Sequence, residues 1–178
     1  MSTKQFLLSG FGGQGILFAG KTLAYKGLIE EKQVSWLPSY GPEMRGGTAS
    51  CSVIISDEPV GSPIVSKPDI LVAMNLPSLD RFEDSVAPGG MIFYDSSLVE
   101  RGVKREDVTV YPIPATKLAG ENGFGNLANM ILMGKILDVL GEFDEKAIEI
   151  TLSKVIPPKK AEMLEINMKA MKLGASTK

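Results

Sequence analysis

Four glycines that close a short apolar run are the first residues in this chain with the means to do chemistry. Gly10, Gly12 and Gly15 fit a G-x-G-x-x-G spacing, Gly13 adds a fourth, and Gln14 stands among them. The preceding residues, Gln5 to Ser9, read as a buried strand, and those that follow read as a helix. Strand, glycine turn and helix N-terminus together make a backbone cradle for a phosphate or pyrophosphate. Glycines admit positive φ and close approach of a ligand to the main chain. The unpaired N–H groups around residues 14–18 add the positive end of a helix dipole. The same turn also serves where a chain must simply reverse against a sheet. Gly10, Gly12, Gly13, Gln14 and Gly15 are therefore candidate cofactor-binding residues, with the plain turn as the alternative.

A second constellation follows in the segment Pro38 to Gly47, which holds two prolines and three glycines and so reads as a shaped loop. It carries an aromatic, a carboxylate and a guanidinium: Tyr40, Glu43 and Arg45, beside Gly41, Gly46 and Gly47. Arg45 could clamp a phosphate or carboxylate with its planar fork, and Glu43 could orient it or meet a neighbouring chain. The alternative is a surface loop with both charges solvated. Asn75, just after a compact apolar strand at Ile70 to Ala73, is a further candidate for the same edge.

What is missing narrows the chemistry. The chain has no histidine, which removes imidazole general bases and imidazole metal ligands. Its one cysteine, Cys51, cannot build an iron–sulfur or cysteine-type zinc site and reads as a small core residue within a strand. Redox metal chemistry must come from another chain. Lys plus Arg is 19 and Asp plus Glu is 21, a net charge of −2 that gives no footprint for general nucleic-acid binding. No apolar run approaches the roughly 20 residues that span a bilayer. The N-terminal stretch is too weakly apolar for a signal peptide, so a cytoplasmic location is expected.

The elements that must position these residues alternate. Helices are expected over Gln14 to Ile29, Leu76 to Ser85, Asn126 to Leu140, from an Asp144 cap to Lys154, and Lys159 to Leu173 with Gly174 as the stop. Strands are expected at Gln5 to Ser9, Val34 to Leu37, Thr48 to Ser56, Ile70 to Ala73, Met91 to Tyr94 and Val108 to Ile113. In the first helix Leu28 is placed on the apolar face, Gly20 is read as a packing contact with the sheet, and Gly27 as fraying. The pattern predicts one α/β domain over residues 1–178, three-layered, with a mostly parallel central sheet and helices on both faces, and a frayed tail at 175–178.

GFGGQG leading into a helix, then PSYGPEMRGGTASCSVIIS, then KPDILVAMN, resembles the gamma subunit of 2-oxoacid:ferredoxin oxidoreductases. The YGPE-x-RGG form is most similar to the separate gamma subunits of 2-oxoglutarate or branched-chain 2-oxoacid enzymes. The resemblance implies a complex that cleaves a 2-oxoacid, with 2-oxoglutarate the favoured substrate, to an acyl-coenzyme A and passes electrons to ferredoxin or a similar acceptor. It implies that alpha and beta subunits carry thiamine diphosphate with Mg, and that a ferredoxin-like subunit carries iron–sulfur clusters. This chain would hold no cofactor alone, have no catalytic residue of its own, and pack beside the active site in association with coenzyme A. In isolation it is expected to self-associate through the surface meant for its partners. Two other readings stay open: a free-standing dinucleotide-binding dehydrogenase and a non-enzymatic small-molecule-binding module. The acidic residue that would bond a ribose in the former is absent at the end of the second strand, where Pro38 and Ser39 stand.

Overall fold

The computed structural model describes residues 2–39 and 49–178. Their elements are β1 (Thr3–Gly10), α1 (Ile16–Ile29), β2 (Gln33–Ser39), β3 (Ala49–Ser56), β4 (Ile70–Ala73), α2 (Leu76–Phe82), β5 (Met91–Asp95), β6 (Thr109–Ile113), α3 (Ala115–Glu121), α4 (Ala128–Val139), α5 (Glu145–Val155) and α6 (Met163–Ser176). The six strands form one sheet in the order β2-β3-β1-β4-β5-β6. β1, β4, β5 and β6 pair in parallel, whereas β3 lies antiparallel to both β1 and β2. Five strands thus point one way, and β3 alone runs against them. The expected mostly parallel α/β sheet is what the chain forms.

Period-two alternation divides the strand residues between two cores. Phe6, Leu8, Cys51, Val53, Ile70, Val72 and Phe93 face the larger one, with Ile16 and Leu23 of α1 and the apolar run of α4. Leu7, Leu71, Ala73, Ile92 and Tyr94 face a smaller one, covered by Leu79 of α2, Val86 and Val99. The two faces are unequally dressed. α5 packs on α1 and α6 on α4, a second tier of helices on the same side of the sheet.

Several local expectations shift. α1 begins at Ile16, because Gln14 and Gly15 belong to the turn. Gly27 is not a frayed position: a Cβ there would lie 2.8 Å from Val34 Cγ2, so the glycine lets α1 close on β2 and β3. Gly20 does pack as expected, with Cys51 Sγ occupying the space of its missing side chain. Leu28 is exposed, not on the buried face. α2 ends at Phe82 and tightens into a 3-10 turn over Glu83–Ser85. α3 has no counterpart in the sequence reading, being short, with Gly120 inside it and no side-chain cap from its own N-terminal residue. A carboxylate from elsewhere starts it: the fully buried Asp95, at the end of β5, accepts from Thr116 N and Oγ1. A negative group is stabilised at such a helix start.

Gly174 is not a helix stop. α6 continues through Ser176, and Lys135 Nζ donates to the Thr177 carbonyl at 2.8 Å, so the segment expected to fray is tied down. A Cβ at Gly174 would collide with the backbone of Ile131 in α4, and one at Gly134 with the backbone of Met171 in α6. Each helix therefore supplies a glycine against the other's main chain. Asp144 caps α5 as expected, accepting from Ala147 N at 2.8 Å. Lys26 is buried and bonds Glu30 and Glu142, with Glu142 3.0 Å away and also joined to Lys4. Burial pushes the Glu142 carboxyl up, but its bonds to Lys4 and Lys26 outweigh this and hold it below the usual range. The cluster fastens the α4–α5 turn to α1 and β1.

Gly134→Ala must push α4 and α6 apart, because the obstructing atoms are backbone. It is expected to destabilise the fold by about 1–3 kcal/mol, read as a lower urea midpoint at unchanged slope. An unchanged midpoint would mean that the two helices are not in contact there.

Candidate functional site

The strand order reverses between β1 and β4: β1 connects to β2 on one side, and β4 to β5 and β6 on the other. Ligands of open α/β sheets lie outside the carboxyl ends of the strands at such a point. The glycine turn leaves β1 here. Gly13 (φ 90°) and Gly15 (φ 73°) take the left-handed conformation that favours glycine. Gly12 is not among the left-handed positions, so within the turn the requirement for positive φ falls on residues 13 and 15. At Gly10 the constraint is space, since a Cβ would lie 2.7 Å from Gln14 Oε1 and 2.9 Å from Ile16 Cδ1.

Gln14 turns inward and works as a joint. Its Oε1 accepts from Phe11 N at 2.6 Å and from Asn75 Nδ2 at 3.3 Å, and its Nε2 donates to the Met74 carbonyl at 3.3 Å. Asn75 is buried, and its Oδ1 caps α2 by accepting from Ser78 N at 2.9 Å. The sequence placed Gln14 and Asn75 at one edge, and they do meet. Their polar atoms hold the two turns together, which makes them positioning residues for the edge.

Tyr40, Gly41, Glu43, Arg45, Gly46 and Gly47 lie outside the described residues. The flanking strand ends are placed: Ala49 pairs with Gly10, and Ser39 with Ser50. Both therefore stand at the edge where the glycine turn begins. Phe11 and Leu76, each following a strand on that edge, are exposed, as is Leu98 beyond β5.

Beside the turn, on its helical side, is a cavity of about 440 Å³. Gly13 and Gly15 form one wall, Phe18 and Lys21 of α1 a second, and Asn129 and Leu127 at the start of α4 a third. The α5–α6 linker, with Ile156 and Lys160, and the first turns of α6, with Met163 and Asn167, complete it. The lining is chiefly apolar, with two lysines and the glycine turn at hand. Asn129 Nδ2 donates to the Gly15 carbonyl at 3.0 Å and so fixes the turn against α4. Sequence reading passed over Lys21, Asn129 and Asn167. The signal was there: Asn129 opens an apolar helix, and Asn167 sits on the stripe that continues through Ala170, Met171 and Gly174.

Among the described residues, no group of three or more His, Cys, Asp or Glu side chains is placed to hold a metal. Cys51 is fully buried, its Sγ is 3.6 Å from the Ile16 carbonyl, and burial pushes its thiol up to about 12. It is a core residue, as expected. No helix among the described residues is long and apolar enough to cross a membrane. The dehydrogenase alternative loses its geometry as well as its acidic residue. β2, reached through α1, is separated from β1 by the antiparallel β3, whereas a dinucleotide-binding sheet places those two strands side by side.

A sequence profile of the pyruvate ferredoxin/flavodoxin oxidoreductase family matches residues 5–177. The chain belongs to that family. It is 43% identical over 173 residues to a ketoisovalerate oxidoreductase subunit (VorA) of Methanothermobacter marburgensis, an alignment covering 94% of this chain and 35% of the relative. The chain thus spans about a third of the length of the ketoisovalerate relatives it matches. It is 38% identical to a 2-oxoglutarate synthase subunit (KorC) of Methanocaldococcus jannaschii, covering 86% of this chain and 84% of that one. Among solved structures it resembles the gamma subunit of a keto/oxoacid ferredoxin oxidoreductase from Geobacter sulfurreducens, with TM-score 0.81, 27% identity and coverage of 97% and 96%. It also resembles part of a 2-oxoglutarate:ferredoxin oxidoreductase from Magnetococcus marinus with 2-oxoglutarate, coenzyme A and succinyl-CoA bound. There the TM-score is 0.84 and the identity 25%, over 98% of this chain and 30% of the other. The gamma-type resemblance read from the two loops holds.

Gln14→Ala leaves Phe11 N, the Met74 carbonyl and Asn75 Nδ2 without the partner that joins them. It is expected to lower the unfolding free energy by about 1–3 kcal/mol and to speed hydrogen exchange at the Phe11 amide. Wild-type exchange and stability in this variant would show that the bridge does not form.

Proposed function

We propose that this chain is the gamma subunit of a cytoplasmic, multisubunit 2-oxoacid:acceptor oxidoreductase and that its part in the reaction is to hold coenzyme A. The complex would decarboxylate a 2-oxoacid oxidatively to an acyl-coenzyme A, with 2-oxoglutarate and 2-ketoisovalerate the two substrates suggested by the relatives. Thiamine diphosphate, on alpha and beta subunits, supplies the carbon–carbon bond cleavage. Iron–sulfur clusters on a ferredoxin-like partner take the electrons to ferredoxin or a similar acceptor.

The observation that carries this reading is the cavity meeting the glycine turn. A coenzyme A molecule is a polyanion joined to a nucleoside and a long neutral arm. The left-handed turn at Gly13 and Gly15 and the start of α1 can turn N–H groups toward phosphate. Lys21, half-buried one turn into α1, lines the same cavity, and its ammonium, 5.8 Å from the centre of the Tyr25 ring, would turn toward a bound phosphate. A volume of about 440 Å³ with apolar walls suits a nucleoside-sized group. A relative of this fold whose solved structure has coenzyme A bound supports the choice of ligand. The exposed Phe11, Leu76 and Leu98 on the carboxyl edge suit burial against the catalytic subunits.

Co-expression with those subunits is expected to yield a complex that reduces a viologen dye with 2-oxoacid and coenzyme A, whereas the chain alone gives no turnover. In the complex, Lys21→Ala should raise KM for coenzyme A roughly ten- to hundredfold with kcat nearly unchanged, the loss of a charged contact made in ground and transition states alike. Turnover by the chain alone, or an unaltered KM in Lys21→Ala, would contradict the proposal.

A further inference from the structure

β2 closes the sheet on one side, and its outer edge is open. The Asp57 N–H donates to the Ser2 carbonyl at 3.2 Å, so the odd-numbered residues of β3 bond toward β1 and the even-numbered ones toward β2. The register pairs Ile54 with Ser35 and Ser52 with Leu37. Val34, Trp36 and Pro38 therefore turn their main-chain groups outward, where they meet no partner among the described residues. Edge strands are commonly guarded by charged side chains, but β2, with the sequence QVSWLPS, has none. Its one blunting residue, Pro38, stands near the C-terminal end and still offers a carbonyl. Side chains extend the edge. Trp36 is exposed beside Gly20 of α1, and Leu28, next to the glycine that rests on Val34, is exposed as well. A groove of about 350 Å³ borders the start of the strand, lined by Gln33, Val34 and Ser35 and by Pro59, Val60 and Pro63 of the β3–β4 loop.

We propose that β2 pairs antiparallel with β2 of a second copy of this chain, about a two-fold axis at Trp36, so that one sheet runs through both protomers. Trp36 then exchanges both main-chain bonds with its counterpart, and Val34 donates to the Pro38 carbonyl across the axis. Pro38 only accepts there, which suits a residue without an N–H. The side chains match themselves. Trp36 lies beside Trp36, and the half-buried Leu37 of one copy faces Ser35 of the other, next to the groove. No charge stands opposite a like charge within the paired strands, which lets two identical surfaces meet. An uncharged strand gives a foreign partner no electrostatic means of choosing it, whereas the two-fold match is supplied by the chain itself. The pairing needs no ligand and leaves the carboxyl edge of the sheet open to other subunits.

The test is residue-resolved hydrogen exchange of the purified chain across a dilution series, with sedimentation of the same samples. The outward Val34 and Trp36 amides are expected to be protected at high concentration and to exchange roughly tenfold faster or more on dilution, while the Ser35 amide, bonded to β3, keeps its rate. Over the same range the sedimenting species falls from twice 19.1 kDa to 19.1 kDa. Trp36 is the single tryptophan, so its emission shifts to the red in step. Trp36→Lys sets like charges at the axis, and Val60→Asp sets a charge in the groove, outside the sheet. Each should raise the dimer dissociation constant roughly tenfold or more. Fast exchange at Val34 and Trp36 at every concentration, or a dimer that both variants leave intact, would overturn the inference. So would a monomeric chain whose Val34 and Trp36 amides become protected only when the catalytic subunits are added, which gives the edge to a strand of theirs. The wild-type dilution series decides whether or not the variants fold.

Discussion

Gly15 and Asn129 share one small volume. A Cβ at position 15 would enter the space of the Asn129 amide, and that amide donates to the Gly15 carbonyl. Only glycine satisfies both the left-handed φ and the contact. This fixes where α1 starts relative to α4, because the turn feeds one helix and the asparagine begins the other. α4 in turn carries α6 through reciprocal glycine-to-backbone contacts at Gly134 and Gly174. The cavity is bounded by these helices and the α5–α6 linker. Its shape therefore descends from one turn conformation and one side-chain hydrogen bond.

A second joint secures the opposite side of the turn. Gln14 reaches the main chain at Phe11 and Met74 and the side chain of Asn75, linking the exits of β1 and β4. The two joints face different ways, toward α4 and toward α2. Between them the glycine turn is held from both sides, which gives it a defined shape before any ligand arrives. Pre-organisation of this kind reduces the ordering that binding must otherwise impose.

The strands and the long helices were legible because their signals are local. Short apolar runs marked β1, β4 and β5, partial alternation with small and β-branched residues marked β3, and Asp144 marked the start of α5. The reversed direction of β3 was not legible, since residue patterns within a strand do not carry its direction. α3 escaped because the group that starts it, Asp95, is 21 residues away from Thr116. Gly27 and Gly174 were read as ends because a glycine in a helix is locally unfavourable, and only the packed partner shows why it is there. At the site, the glycine turn was legible and its use of Gly13 and Gly15 was not. The lysine and asparagines of the cavity became visible once α1, α4 and α6 were brought together from positions far apart in the chain.

The division of labour proposed for this chain follows from its residues. It has no histidine and a single, deeply buried cysteine, and it has a walled cavity beside a phosphate-type turn. Such a cavity is suited to presenting a substrate. The most direct measurement is photo-crosslinking of the assembled complex with a coenzyme A analogue that carries an azide on its purine ring, followed by peptide mapping. The account predicts that the label lands on this chain, within residues 11–21 or 155–167, and that excess coenzyme A prevents it. Competable labelling confined to the partner subunits would contradict it.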